Sequence, residues 1–161
     1  SDKAAAQVKA RNTPVQSWFL DLSLLMAYWE GDGARTYHHT APVNAMYGLH
    51  EALLMVKEEG LENSWHKHRA MHEVLVENLN GIGLEFVVDA SYRLPQLNLV
   101  KIPEGVDEAA VRKRLLSEFN LEIGAGLGAF AGKVWRIGLM GYSARHENIQ
   151  LCTSALKHCM R

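Results

Sequence analysis

The sequence predicts an α+β fold in which helices cover a small, mainly antiparallel sheet. Three observations support this prediction. The 161 residues, 48% of them hydrophobic, are enough for a packed domain. The first half of the chain shows helical spacing of apolar residues, and the second half contains short segments rich in Val, Leu and Ile. The expected order of elements is α, α, α, β, β, α, β, β, α.

The first half is expected to be helical. Residues 18–29 fit both a helix and an alternating strand, and we favour the helix. The segment EGDGART that follows is expected to be a loop. One long helix should begin at Thr40-Ala41-Pro42 and end at Gly60, and a second should extend from Leu61 to Leu79. Their apolar positions are Met46, Leu49, Leu53 and Val56 in the first and Trp65, Met71, Leu75 and Leu79 in the second.

The second half is expected to form the sheet and two more helices. The segments LEFVV, QLNLVKI, LEI and VWRIGLM are predicted as strands. Asp107 is the expected N-cap of a helix, because it directly precedes an apolar pattern at helical spacing. A final helix is expected from about Arg145 to Met160.

The charge balance argues against partners that are chosen by bulk charge. Seventeen basic and 18 acidic residues leave a formal net charge of -1, so no nucleic-acid face is expected. The apolar runs are shorter than the roughly 18 residues of a membrane-spanning helix, and the first residues lack the apolar core of a signal peptide. We therefore expect a cytoplasmic protein with no membrane partner, or one of an organelle matrix such as that of the peroxisome.

Cys152 and Cys159 are expected to be reduced. Seven residues of helix separate their Cα atoms by about 10 Å, which is beyond the reach of a disulfide. Zinc binding together with His146 and His158 is disfavoured, because Cys-x6-Cys is not a usual ligand spacing. The two cysteines are interpreted as small core residues.

Arg136, in the segment KVWRIGLMG, is a candidate for binding a carboxylate. In a strand it shares one face with Val134, Gly138 and Met140, while the other face is wholly apolar. A guanidinium group that leaves water needs a partner, and its fork fits a carboxylate with two parallel hydrogen bonds. The alternatives are a surface arginine or an internal ion pair, for example with Glu122.

The glycine-rich loop before Arg136 contains Gly-x-Gly-x-x-Ala at residues 126–131. A dinucleotide fingerprint needs a strand before it and a helix after it, whereas this loop leads into a strand. The glycines are better explained by a tight backbone turn that approaches another surface or a ligand closely.

The segment TYHHTAP is a candidate anion site. Pro42 fits the first turn of a helix, so the free amide groups, the hydroxyl of Thr40 and the phenol of Tyr37 could face one phosphate or carboxylate. The alternative is an ordinary Thr40 N-cap with Tyr37 packed as a core aromatic. His38 and His39 are expected to serve in packing or hydrogen bonding and not as metal ligands.

His68 and His72 lie four residues apart on one helix face, a spacing that can chelate zinc. In the zinc protease motif a glutamate directly follows the first histidine, and here that position holds Arg69. We favour a solvated or partly packed helix face, with no metal.

Four motifs in this order, TYHHTAP, GLENSW, RLPQL and GAGLGAFAGKVWRIGLMG, resemble the alanine:glyoxylate and serine:pyruvate aminotransferases. These are class V pyridoxal-phosphate enzymes with the aspartate-aminotransferase-like fold. The resemblance covers nearly the whole chain. It implies a transamination between alanine or serine and glyoxylate or pyruvate, in a homodimer that binds pyridoxal 5'-phosphate.

The resemblance also implies roles for particular residues. Tyr37 and Thr40 would reach across the dimer interface to the phosphate of the cofactor, and Arg136 would hold the α-carboxylate of the substrate. Residues 1–42 would be the end of the large domain, and residues 43–161 the interdomain helix and the small domain.

The chain departs from the family in length. The Schiff-base lysine, the aspartate that pairs with the pyridine nitrogen and the stacking aromatic precede the residues matched by SDKA, so no catalytic residue is assigned in this sequence, and Lys133 matches no Schiff-base position. We therefore expect a C-terminal portion that is inactive alone. The alternative is a non-catalytic fragment of the same fold that dimerises or binds carboxylates. A desulfurase or lyase would carry a reactive loop cysteine, and both cysteines here are predicted in a helix.

Overall fold

The computed structural model describes residues 1–30 and 36–161, so most of the predicted EGDGART loop lies outside the described residues. The described chain forms two compact units, Ser1–Leu54 and Met55–Arg161. No helix among the described residues has the length and apolar character needed to cross a membrane.

The first unit is helical: the helix predicted over residues 18–29 and the one predicted from residue 40 are present, and a further helix at residues 2–9 was not predicted. Helix α1 spans Asp2–Lys9, α2 spans Leu22–Glu30, and α3 spans Val43–Glu59, which includes the boundary between the units. The helix predicted over residues 18–29 is confirmed from Leu22 onward, whereas Trp18–Leu20 is a 3-10 turn. Asp21 separates the two, because its Oδ1 accepts a hydrogen bond from the amide of Ser23 at 2.9 Å and so starts α2 there.

The second unit carries the sheet. Strands β1 (Leu97–Lys101), β2 (Gly124–Ala125) and β3 (Val134–Gly138) are antiparallel and lie in the order β1-β3-β2. Arg136 in the central strand pairs with Leu99 on one side and with Gly124 on the other. The predicted small antiparallel sheet is confirmed.

Two of the predicted strands are not formed as expected. LEFVV contributes only an isolated bridge from Phe86 to Val100, since the chain turns at Asp89 into a 3-10 turn. LEI lies ahead of β2, because the amide of Leu121 still donates to the carbonyl of Leu115 at the end of the preceding helix, at 3.1 Å.

Three helices pack in the second unit: α4 (Leu61–Gly81), α5 (Glu108–Phe119) and α6 (His146–Cys159). The predicted N-cap at Asp107 is confirmed, as its Oδ1 accepts from the amide of Ala110 at 3.0 Å. Gly83 ends α4 with a φ of 83°, and the amide of Leu84 reaches back to the carbonyl of Leu79 at 3.0 Å. This is the Schellman arrangement, in which a left-handed glycine satisfies the last carbonyls of a helix.

The core lies against one face of β3. Trp135, Ile137 and Leu139 are buried there with Leu79 of α4 and Leu156 of α6. On the other face Arg136 is half-buried and Gly138 and Met140 are exposed, as the alternating pattern predicts. Val134, also on that face, is buried, and its Cγ2 lies 3.0 Å from the position that a Cβ on Gly126 would occupy, so the glycine-rich loop packs against it.

Candidate functional site

The TYHHTAP segment is organised by Tyr28 of α2. The phenolic oxygen of Tyr28 accepts hydrogen bonds from the amides of His38 and His39, the second at 3.1 Å. One side chain thus holds the backbone of two successive residues. This role had no signal in the sequence, because Tyr28 lies in α2 at a position that fits an ordinary apolar pattern.

The two histidines of this segment are packed by aromatic neighbours. The His38 ring meets Trp18 edge to face, with ring centroids 4.1 Å apart, and its Nε2 lies 2.9 Å from the carbonyl oxygen of Trp18. The His39 ring stacks on Phe19 at 4.2 Å. The expected use of both rings in packing and hydrogen bonding is confirmed.

Tyr37 and Thr40 lie together, as predicted. Their hydroxyl groups are hydrogen-bonded to each other, and both side chains are exposed, Tyr37 by 70%. The alternative of a Thr40 N-cap with Tyr37 in the core is wrong, because α3 begins at Val43 and the carbonyl of Pro42 is its first acceptor. The two hydroxyls are therefore free to bind a group outside this unit.

The start of α3 beside Thr40 offers further donors. Among the described residues, no acceptor engages the amides of Asn44 and Ala45. A shallow depression over the start of the helix is lined by residues 40–45. Free amides, the positive end of the helix dipole and two hydroxyls together fit an anion such as a phosphate group.

Arg136 lies in the second unit, at the centre of β3. Its side chain is half-buried, and Nε donates to the carbonyl oxygen of Ala125 in β2 at 2.7 Å. No carboxylate in the described part of the chain forms a salt bridge with it, and Glu122, the alternative partner, is exposed. The guanidinium is thus held at Nε, which leaves its terminal nitrogens available.

Two glycines of the loop before β3 have steric roles. A Cβ on Gly124 would lie 3.3 Å from both Nε and Nη2 of Arg136, so the missing side chain makes room for the guanidinium. A Cβ on Gly126 would overlap the carbonyl oxygen of Phe130. The expected close backbone approach in this loop is confirmed at Gly126.

His68 and His72 differ in environment. His68 is buried, and both ring nitrogens are engaged by backbone groups, those of Ser64 and Gly141. Desolvation lowers the pKa of His72, and the charge of Arg93 adds to this effect. No cluster of three or more metal-ligating residues occurs in residues 1–30 and 36–161. His68 is thus a packed residue, in line with the expected helix face.

Cys152 and Cys159 are buried free thiols. Burial raises the pKa of the Cys152 thiol to about 12 and also raises that of Cys159. A thiol with so high a pKa is a poor nucleophile, because the thiolate is the reactive form. The expected reduced, core-filling role is confirmed.

Comparison with known proteins extends over the whole chain. The chain is 43% identical over 163 residues to an alanine–glyoxylate aminotransferase of Callithrix jacchus. This alignment covers 100% of the chain and 39% of the relative. It is 39% identical to an (S)-ureidoglycine–glyoxylate transaminase of Bacillus subtilis, over 98% of the chain and 36% of that protein. No protein-family model matches it.

A solved structure has the same fold. The crystal structure of an alanine–glyoxylate aminotransferase from Nostoc sp. matches with a TM-score of 0.88 and 48% identity, over 100% of this chain and 42% of that one. The chain spans about two fifths of the length of the relatives that it matches. The chain is therefore similar, over its whole length, to the C-terminal portions of these aminotransferases.

Proposed function

We propose that this chain contributes to a pyridoxal-phosphate-dependent transamination between a small amino acid, alanine or serine, and a 2-oxo acid, glyoxylate or pyruvate. The proposal rests on Arg136. Its side chain is half-buried, its Nε is held by the backbone carbonyl of Ala125, and no carboxylate among the described residues pairs with it. Both sequence relatives described above are named for glyoxylate as acceptor. Every donor and acceptor in this set carries a carboxylate next to the reacting carbon.

In this proposal Arg136 binds that carboxylate. Because Nε already donates to Ala125, the two terminal nitrogens form the edge that meets the substrate, with two parallel charge-assisted hydrogen bonds. The central strand position gives the guanidinium a rigid base between β1 and β2. A rigidly held fork fixes the orientation of the substrate, which is the part of catalysis that this chain supplies.

Tyr37 and Thr40 are proposed to contact the phosphate of pyridoxal 5'-phosphate. The exposed hydroxyl pair and the unengaged amides at the start of α3 fit such a group. When bound, the cofactor supplies the electron sink for transamination. The part of the relatives that precedes residue 1 would hold most of the cofactor, including the Schiff-base lysine.

The proposed setting is a homodimer in which Tyr37 and Thr40 reach the cofactor of the partner subunit. The exposed apolar residues of α3, among them Met46, Leu49 and Leu53, support a covered surface in this region. We propose residues 1–42 as the end of the large domain and residues 43–161 as the interdomain helix and the small domain. The cytoplasm, or an organelle matrix such as that of the peroxisome, is the proposed location.

Arg136→Lys tests the proposal in the complete enzyme, which is this chain together with the upstream portion of its relatives. Lysine keeps the charge but loses the forked pair of donors, so kcat/KM should fall by about 10- to 100-fold. This loss corresponds to about 1.5 to 3 kcal/mol of transition-state stabilisation and should be the same with alanine and with serine. Arg136→Ala should cost more. Steady-state kinetics with glyoxylate as acceptor measure both variants.

The matched control is Arg112→Lys, because Arg112 is a half-buried arginine that already has a carboxylate partner, Glu108, on α5. It should leave kcat/KM unchanged, and cofactor absorbance should be retained in all three variants. Unchanged kinetics of a cofactor-loaded Arg136→Ala enzyme would show that another group holds the carboxylate. Lack of cofactor absorbance in the complete protein would favour the non-catalytic, carboxylate-binding alternative.

A further inference from the structure

The loop that follows β3 is held by a side chain from α4. His68 Nε2 lies 3.0 Å from the amide nitrogen of Gly141, and the two residues are 73 positions apart in sequence. The His68 side chain is only 7% exposed, so this contact is largely shielded from water. Gly141 has a φ of 53°, which is a left-handed conformation that suits glycine.

The two contacts of His68 define its hydrogen positions. Nδ1 lies 2.6 Å from the carbonyl oxygen of Ser64, which can only accept, so the ring proton is on Nδ1. Nε2 is then unprotonated and accepts from the amide of Gly141. His68 therefore links one turn of α4 to the loop by a donor on one side and an acceptor on the other.

Met140, the neighbour of Gly141, lies on the face of Arg136. Its methyl carbon is 3.2 Å from the position that a Cβ on Gly138 would occupy, so the side chain folds back over Gly138 along β3. Gly138 stands between Met140 and Arg136 on this face. Ser143 Oγ further fixes Met140, as it accepts from the Met140 amide at 2.9 Å.

We propose that Met140 forms an apolar wall of the substrate site beside Arg136 and that His68 is the positioning residue that holds this wall in place. The inference rests on the proposed function of Arg136. With the carboxylate on the fork of Arg136, the short carbon chain of the amino acid lies along the face on which the Met140 methyl lies. Such a wall binds substrates of two or three carbons by contact with their aliphatic atoms.

The test uses four variants of the complete enzyme, with Arg136→Lys as a fifth for reference. Met140→Ala removes the wall and should raise KM for alanine by about 10-fold, with kcat changed less than about twofold, since an apolar contact of this size discriminates by about that factor. His68→Asn places an amide donor near Nδ1 but loses the acceptor for Gly141, and should raise KM in the same way. His68→Gln places an acceptor near Nε2 and should stay within about twofold of the wild type.

The double variant His68→Asn with Met140→Ala tests whether His68 affects KM by positioning Met140 or by stabilising the fold in general. If His68 acts through Met140, adding His68→Asn to Met140→Ala should raise KM no further. Equal KM changes for His68→Asn and His68→Gln, or additive changes in the double variant, would overturn the proposal. Should His68→Asn fail to fold, Ser143→Ala replaces it, because it frees Met140 without touching the core, and an unchanged KM would likewise overturn the proposal.

Arg136→Lys is the reference in this experiment. If it lowers kcat/KM while the His68 and Met140 variants have wild-type KM values, the proposed function stands and only the wall is wrong. If Arg136→Lys has no effect, Arg136 does not hold the carboxylate, and both its proposed role and the wall beside it are wrong.

Discussion

The two units of the chain differ in how much apolar surface they bury. Residues 55–161 contain 17 of the 18 buried apolar residues among those described, and residues 1–54 contain one, Met26. The helix α3 has no buried residue, although its apolar positions repeat at helical spacing. Periodicity thus predicted helices in both units, but only the second unit supplies the partner surfaces for its own helices. The exposed apolar residues of the first unit support the proposal that another surface covers them.

The largest expected effect of a single substitution is at Trp135, which is fully buried at the centre of the second unit. Trp135→Ala should lower the free energy of unfolding of the chain by about 3 to 5 kcal/mol, because it removes a large apolar side chain and leaves a cavity. Urea unfolding followed by far-ultraviolet circular dichroism measures the change.

The matched control lies in the first unit. Trp29 is 68% exposed, so Trp29→Ala should change the free energy of unfolding by no more than about 0.5 kcal/mol. Similar losses for the two tryptophans would contradict the contrast between a packed second unit and an open first unit.

A second comparison uses two glycines. Gly126→Ala would press a methyl group against the carbonyl oxygen of Phe130, which requires a backbone shift, and should cost about 1 to 3 kcal/mol. Gly48 in α3 has nothing within 4 Å of an added Cβ, so Gly48→Ala should stabilise the chain by about 0.5 to 1 kcal/mol through helix propensity. Thermal unfolding of both variants measures whether Gly126→Ala lowers and Gly48→Ala raises the free energy of unfolding. A destabilising Gly48→Ala would indicate that α3 is closely packed there.

The smallest expected effect is a pH dependence that His72 confers on the second unit. Desolvation and the charge of Arg93 lower its folded-state pKa below the ordinary 6.5, while Asn98 and Glu73 oppose the shift. Nδ1 of His72 makes no hydrogen bond to Asn98, so Asn98 does little to offset the lowering of the pKa. The unfolded chain therefore binds the proton more readily, and the stability contributed by the neutral ring, complete above pH 6.5, is lost as the pH falls through this window.

His72→Gln removes this titration. The loss of unfolding free energy between pH 7.5 and pH 5 should then be smaller than in the unchanged chain, as measured by urea unfolding at about four pH values. The same slope in both proteins would mean that the folded and unfolded chains bind a proton at His72 equally well.

Most of the helices could be predicted from the sequence because their signals are local. Asp107 caps α5 through an amide three residues away, and Gly83 ends α4 through its own backbone conformation. The errors arose where tertiary contacts decide. LEFVV has strand composition, yet it pairs with β1 only over a short stretch centred on Phe86. Thr40 has the chemistry of an N-cap, yet its hydroxyl pairs with Tyr37.

By itself, the sequence determined the residue types of the candidate site and the order of the elements that carry them. Alternation along β3 was enough to place Arg136 opposite the apolar face, since neighbouring side chains of a strand point to opposite sides. Whether that arginine would have an internal partner was not predictable, because the answer depends on the carbonyl of Ala125 and the missing side chain of Gly124. The link from His68 to Gly141 is of the same kind: a hydrogen bond across 73 residues has no local pattern, and only the packing of α4 against the end of β3 creates it.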